Sequence, residues 1–352
     1  MSEVIRWRDC QIFRPARCAS ARYPSRLSEY STSFDIPETT YRVCKHAVLV
    51  KAGTIGIHQS TVIQETVPFQ FDFSQLKKDL EQSPTVGMSF SGVMCSLVDS
   101  RDFHNNYFHW FFDILPRVLA SRNYESLCGL PVTYLVPERL SEWQAASLHA
   151  IGVTRERMLS RDLLCGNNLA VESLVSASSH RFVAAKGLPY DVISPADLLE
   201  LRELTLDVFQ FAGQVRTRRR LFINRTTAQS RRAILTGEVS SYLEKLNFQQ
   251  IDLDGLTLLD QISLFQSSEI IIAVHGSALT NVMFSQPGTN VVEIFSSDHG
   301  IRPDYFQICS ALGLDYSFIV CNAINNCGDV LVTKSQLEGV LEPVSHEVLS
   351  MQ

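Results

Sequence analysis

The segment Asn106-Tyr107-Phe108-His109-Trp110-Phe111-Phe112-Asp113-Ile114-Leu115-Pro116-Arg117 sets polar groups among large apolar ones. On a helix His109 and Asp113 stand at i and i+4 and share a face, with Asn106 one turn earlier. Asp113 can then act as a general base, with His109 orienting it or substituting for it. The plainer alternative is a His–Asp pair that satisfies itself and pins a buried helix. No H-E-x-x-H pattern appears, which makes a metal reading the weaker one.

A second group lies far along the chain. Asn224-Arg225, His275-Gly276-Ser277-Ala278-Leu279-Thr280-Asn281 and Glu293 each fall at or near the end of an apolar run. Gly276 would let backbone approach a ligand, Ser277 could cap a helix, and the first-turn N–H groups of that helix would attract an anion. With Arg225 and the Arg231/Arg232 pair close by, this reads as a pyrophosphate cradle. A plain strand–helix turn with a structural histidine is the alternative. Glu293, a carboxylate within Val291-Val292-Glu293-Ile294-Phe295, needs a partner if buried. A ribose diol would supply one, and so would an internal side chain or backbone amide.

The elements that would carry these residues follow from periodicity. In the first half, 46–52, 92–98, 132–136 and 169–177 read as strands. Residues 106–121 read as a helix that Pro116 should kink or break. Residues 141–151 read as a helix with a serine cap and Gly152 as its stop. Turn formers at 187–194 mark a boundary, and Ser194-Pro195 starts a helix reaching about Phe211. The second half alternates strands at 220–224, 248–253, 269–274, 290–295 and 315–320 with helices at 236–246, 257–267, 277–284 and 305–312. Thr257 and Asp260 form a variant capping box. This is an α/β pattern whose C-terminal half is a parallel sheet with helices on both faces, and such sheets bind ligands at the carboxyl ends of their strands. The expected division is 1–193, an acceptor-side domain with a basic leader, and 194–352, a nucleotide-binding domain.

Bulk properties exclude several classes. The chain has 352 residues, a net charge of −6, 45% hydrophobic and 19% charged residues. It is too mildly charged for a protein that coats nucleic acid, which is usually strongly basic. Nine scattered cysteines include no C-x-x-C pair and suit a reduced, cytoplasmic protein. No apolar run approaches ~18 residues, so no spanning helix is expected. There is no G-x-x-x-x-G-K-[ST], G-x-G-x-x-G after a strand, or G-x-S-x-G. Residues 1–26 hold six arginines against Glu3 and Asp9. This leader could touch anionic lipid, giving a peripheral membrane contact, or it could pack as a solvated edge. Seven arginines lie between Arg216 and Arg232 with no acid among them. A solvated face suits Arg218 to Arg220, whereas Arg225, Arg231 and Arg232 follow a strand end. Asp252-Leu253-Asp254 has the letters of a D-x-D metal motif, but it ends a strand before Gly255 and reads as structural.

Residues 106–117 (NYFHWFFDILPR) resemble the N-terminal signature of glycosyltransferase family 61. Residues 222–225 (FINR), 252–259 (DLDGLTLL), 270–281 (IIIAVHGSALTN) and 287–295 (PGTNVVEIF) resemble its C-terminal blocks, in the same order. The resemblance covers about residues 95–320 and is nearest to the bacterial branch of capsular polysaccharide biosynthesis proteins. It implies two Rossmann-like domains facing a cleft, the GT-B type, and an inverting transfer from a nucleotide sugar, a UDP-sugar foremost. The acceptor would be a glycan, a lipid-linked sugar or a protein, with no nucleic acid, cofactor or metal required. Carried over, Arg225, Arg231, His275, Gly276, Ser277, Ala278 and Thr280 would hold the donor diphosphate, and Glu293 the ribose. His109 and Asp113 would be catalytic, with Asn106 and Trp110 on the acceptor side. Val274 replaces a residue that is often Pro or Gly in relatives. A non-catalytic nucleotide- or glycan-binding protein on the same fold, and a sugar-phosphate isomerase or hydrolase, remain as other readings.

Overall fold

The computed structural model describes residues 2–16, 18, 25–67, 86–99, 103–177, 191–211, 218–225, 229–298 and 300–341. Arg17, Arg22, Arg216 and the 187–190 part of the expected boundary lie outside the described residues. The chain forms two compact units. Met1–Ile12 with Asp35–Thr205 makes the first, and Phe13–Phe34 with Leu206–Gln352 the second.

The first unit is built on β1 (Ser2–Arg8), β2 (Thr39–Val50), β3 (Ile55–His58), β4 (Thr61–Val62), β5 (Val86–Ser96), β6 (Val132–Val136), β7 (Met158–Ser160) and β8 (Asn168–Ala177). Their order is β4-β3-β2-β8-β5-β6-β7, with β1 also paired to β2. The β8-β5-β6-β7 part is parallel. The rest is antiparallel. This half is therefore a mixed sheet, and only its parallel part matches a Rossmann-like expectation. The reason is local. Tight turns such as the one at Lys51–Thr54, with Gly53 in the left-handed region at φ 86°, return the chain directly and give antiparallel neighbours. Parallel neighbours need the crossover helices α1 (Leu115–Cys128) and α2 (Glu142–Ala150). The serine cap of α2 forms as the sequence suggests, and Gln144 completes it as a capping box.

Helix α3 (Pro195–Val208) belongs to the first unit as far as Thr205, so the boundary expected at 193/194 lies within that unit. Ser194 caps Asp197 N–H at 3.2 Å, and Gln11 accepts from Ala196 N–H at 2.8 Å. Arg8 pairs with Asp197 at 3.0 Å and with Glu200. Arg6 pairs with Glu38 at 3.1 Å. Two charges of the basic leader are thus engaged within the unit, and that stretch is an edge strand.

The second unit holds β9 (Arg219–Asn224), β10 (Phe248–Asp252), β11 (Ser268–Val274), β12 (Asn290–Ser296) and β13 (Asp315–Cys321). All pairs are parallel and the order is β10-β9-β11-β12-β13. Numbered within the sheet this is 2-1-3-4-5, a doubly wound order whose switch point lies between the first and third strands. Helix α4 (Gly237–Lys245) buries Val239 and Leu243 against Phe222, Ile270, Ile272, Val292 and Ile294. Helices α5 (Leu258–Gln266) and α6 (Asp304–Leu312) contact the sheet outside that cluster. The Thr257/Asp260 capping box of α5 is present, and Asp252 accepts from Asp254 N–H, a structural turn. Phe13–Phe34 joins this unit by burying Phe13 against Tyr30, Phe34 and Phe306.

Candidate functional site

In the first unit the candidate residues follow the carboxyl end of β5. The expected helix over 106–121 is three pieces: α-helix at Tyr107–His109, a π-turn at Trp110–Ile114, then α1. Pro116 sits in the first turn of α1, where a missing N–H costs nothing. The widened turn ahead of it replaces the kink, and such turns concentrate at functional positions. Across the turn His109 Nδ1 meets Asp113 Oδ2 at 2.5 Å. The Asp113 side chain is 1% exposed and that of His109 is 19% exposed. The carboxylate therefore stands behind the imidazole, and of the two groups the sequence leaves open as the base, His109 is the one with exposed surface.

Arg117, to which the sequence gave no role, fixes this turn. Its guanidinium donates to Asp113 O at 3.2 Å, Ser96 O at 3.1 Å and Val98 O at 3.3 Å, and pairs with buried Asp99 at 3.4 Å. Asn106 and Trp110 each have an internal hydrogen-bond partner. Asn106 Oδ1 accepts from Phe108 and His109 N–H, capping the short helix. Trp110 is fully buried and donates to Ser147 Oγ at 2.8 Å.

In the second unit Arg225 ends β9 and His275-Gly276 ends β11, so both lie at the switch point. A Cβ on Gly276 would sit 2.2 Å from Arg225 Nη1, so only glycine admits the guanidinium. Arg225 Nη1 is buried and has no hydrogen-bond partner among the described residues. No ion pair of Arg225 occurs among them. Burial first, then Arg231, lowers the Arg225 pKa, because both disfavour its positive charge. Arg231 is held by its own N–H to Cys327 O. Arg232 is not part of the cradle: it pairs with Asp329 at 2.6 Å. Arg220 is tied to Glu269 at 2.7 Å, while Arg218 and Arg219 are exposed.

The segment Ser277–Phe284 is a 3-10 helix, not α. Gly276 occupies its cap and no side-chain cap bond forms, so Ser277 is not the cap. Leu279 N–H bonds to Gly276 O, which leaves Ser277 and Ala278 N–H without an intrahelical acceptor. Both residues are partly exposed, whereas Thr280 is fully buried. Tyr305 O–H donates to Gly276 O at 2.6 Å and fixes the turn from behind.

Glu293 is fully buried and both its oxygens are engaged inside the protein. His275 Nδ1 lies 2.5 Å from Oε1, and Tyr316 O–H donates to Oε2 at 2.7 Å. The expected ribose contact is therefore replaced by the internal alternative. His275 itself stacks on Phe295 with centroids 5.3 Å apart. Nothing in the local sequence marks Tyr316 or Tyr305 as partners, since each sits in an ordinary apolar segment.

These features define an α/β protein with a doubly wound C-terminal sheet and, at its switch point, an arginine that has no ion pair among the described residues. The family model described as Glycosyltransferase 61 matches residues 107–292, more than half the chain, and the chain belongs to glycosyltransferase family 61. The family implies glycosyl transfer between a sugar donor and an acceptor. No curated protein matches the chain. No helix among the described residues is long and apolar enough to cross a membrane.

Proposed function

We propose that the protein is an inverting glycosyltransferase that moves a sugar from a nucleotide-sugar donor, a UDP-sugar foremost, to a hydroxyl of a glycan, lipid-linked or protein acceptor. Polysaccharide synthesis of the capsular kind is the pathway class, and a GT-B arrangement of the two halves is the architecture the family suggests. The observation that carries the reading is Arg225. A guanidinium half-buried with no carboxylate partner among the described residues, seated on Gly276 at the switch point of a doubly wound sheet, costs free energy unless an anion joins it. A diphosphate supplies that anion.

In this reading His109 accepts the proton of the acceptor hydroxyl, and the buried Asp113 orients the ring and balances the imidazolium that forms. The acceptor oxygen bonds to the anomeric carbon as the bond from that carbon to the diphosphate oxygen breaks. The nucleoside diphosphate departs with the bonding electrons, held by Arg225, Arg231 and the N–H groups of Ser277 and Ala278. The test is a panel of nucleotide sugars scored for thermal stabilisation and for slow donor hydrolysis. Stabilisation and hydrolysis by one member support the reading. Stabilisation with neither hydrolysis nor transfer to any hydroxyl acceptor favours a binding protein, and no response to any member overturns the donor site.

A further inference from the structure

The carbonyl of Gly276 is held by two donors of its own unit. Tyr305 O–H donates to it at 2.6 Å and Leu279 N–H at 2.9 Å. A carbonyl oxygen has two lone pairs, so both are taken. Arg225, whose guanidinium is seated on the same glycine, is thereby denied that acceptor, and its buried Nη1 has no hydrogen-bond partner among the described residues. We infer that Tyr305 is a positioning residue of the donor site: its hydroxyl pins the Gly276–Ser277 peptide so that Ser277 N–H and the Arg225 guanidinium serve one anion. The inference rests on the proposed donor site and adds the residue that orients it.

Backbone geometry fixes the direction of the free N–H. The Gly276–Ser277 peptide is planar and trans, so Ser277 N–H points opposite to Gly276 O, away from Tyr305 and Leu279. With ψ of Gly276 at 172°, the Ser277 nitrogen lies gauche to the direction a Cβ on Gly276 would take, and the carbonyl oxygen is turned from it. Arg225 Nη1 occupies that Cβ direction. The N–H and the guanidinium therefore flank the Cα–C bond of Gly276 on the side away from the carbonyl. Arg225 and Ser277 both keep exposed surface, whereas Tyr305 is buried. Without the Tyr305 hydroxyl, rotation of this peptide would turn Gly276 O toward Arg225 and Ser277 N–H away. The guanidinium would gain an internal acceptor, and the anion would lose one donor and meet a neutralised other. Tyr305 opposes that rotation at any working pH. Burial first, then the Asp304 and Glu293 carboxylates, push its pKa well above the ordinary value, so its oxygen keeps the proton that it donates.

The experiment is calorimetry on the full chain with UDP and with inorganic pyrophosphate. Tyr305→Phe removes one oxygen, and Ser277→Pro removes the N–H at a first helical position, where proline breaks no intrahelical bond. Tyr305→Phe should weaken both probes about tenfold in the wild-type background and less than about twofold in the Ser277→Pro background. Equal losses in the two backgrounds would mean that Tyr305 does not act through Ser277 N–H. Unchanged affinity in folded Tyr305→Phe, as a merely structural hydroxyl would give, overturns the inference. A reading on the wild type covers a variant that fails to fold. Serine-selective 15N spectra follow the Ser277 amide, assigned by its loss in Ser277→Ala, and its proton should move downfield when pyrophosphate binds. An amide left unmoved by bound pyrophosphate overturns the inference and spares the donor site. Failure of the wild type to bind either probe overturns both.

Discussion

In the proposed transfer His109 and Arg225 carry the chemistry at the residue scale, and each gives a test whose sign follows from its surroundings. His109 is the partly exposed member of its pair, with Asp113 sealed behind it. His109→Ala should lower kcat by roughly 10²- to 10⁴-fold, the usual worth of a positioned base, and leave donor affinity unchanged. Steady-state kinetics beside calorimetry would check this. Weakened donor binding with intact kcat would remove His109 from the base role. Arg225 is a charge held without a partner among the described residues. Arg225→Met should therefore raise the melting temperature of the ligand-free protein, by about 0.5–2 kcal/mol of stability, while losing most nucleotide affinity. Scanning calorimetry and titration read the two effects separately. Both residues were legible in the sequence because their types and spacing are chemical statements. The internal partners of Asn106, Trp110 and Glu293 were not legible, because nothing in sequence says which way a side chain points.

Among the elements, the π-turn at Trp110–Ile114 is the one on which the first site depends. It is stapled by Arg117, which binds three backbone carbonyls and Asp99. Arg117→Met should destabilise the protein by about 1–3 kcal/mol, since Asp99 and the carbonyls lose a charged donor in a buried place. It should also lower kcat more than it raises KM. Urea titration and kinetics test the two parts, and unchanged kcat in a folded variant would make the staple purely structural. In the second unit the strand pair Ala233–Leu235 and Val330–Val332 is flanked by the Arg232–Asp329 pair. Hydrogen bonds from Arg232, then Asn325, hold the Asp329 carboxyl well below its ordinary value. A depressed folded-state pKa gives stability that is fully present above the unfolded value of about 4 and is lost as the pH falls through the folded one. Arg232→Ala should thus be less stable than wild type at pH 6, with the gap closing below about pH 4. Denaturant midpoints at the two pH values measure it. Element types and most boundaries of the second unit were readable from periodicity and caps, as at Thr257, whereas the first-unit strands expected at 46–52 and 92–98 run over Thr39–Val50 and Val86–Ser96. The π-turn and the 3-10 form of Ser277–Phe284 were not, because they depend on what the turn must pack against.

Across the whole molecule, the N-terminal segment has two allegiances. Strand β1 completes the first unit, with Arg8 holding the start of α3. Residues Phe13–Phe34 complete the second. Phe13 packs on Phe306, Ala16 N–H donates to Ser310 Oγ at 2.9 Å, and Cys18 bridges to Tyr316 on β13. A chain lacking residues 1–34 should melt lower by about 10 °C or more, because buried aromatic surface and ion pairs are lost in both units. Circular dichroism would show it, and an unchanged transition would mean that the segment is an accessory.

What the sequence determined by itself was the class of the second half and the family. Alternation of apolar runs with capped helices leaves a parallel sheet as the natural solution, and residue types at the strand ends declare their charge and proton chemistry. What only the tertiary structure decided was partnership. The order 2-1-3-4-5 brings Arg225 against Gly276 from strands about fifty residues apart in sequence. Burial then separates compensated cations such as Arg220 and Arg232 from Arg225, which has no ion pair among the described residues. It also places Asp113 and Glu293 behind their histidines. A charge's role depends on what solvates it, and solvation is a property of packing that no local sequence records.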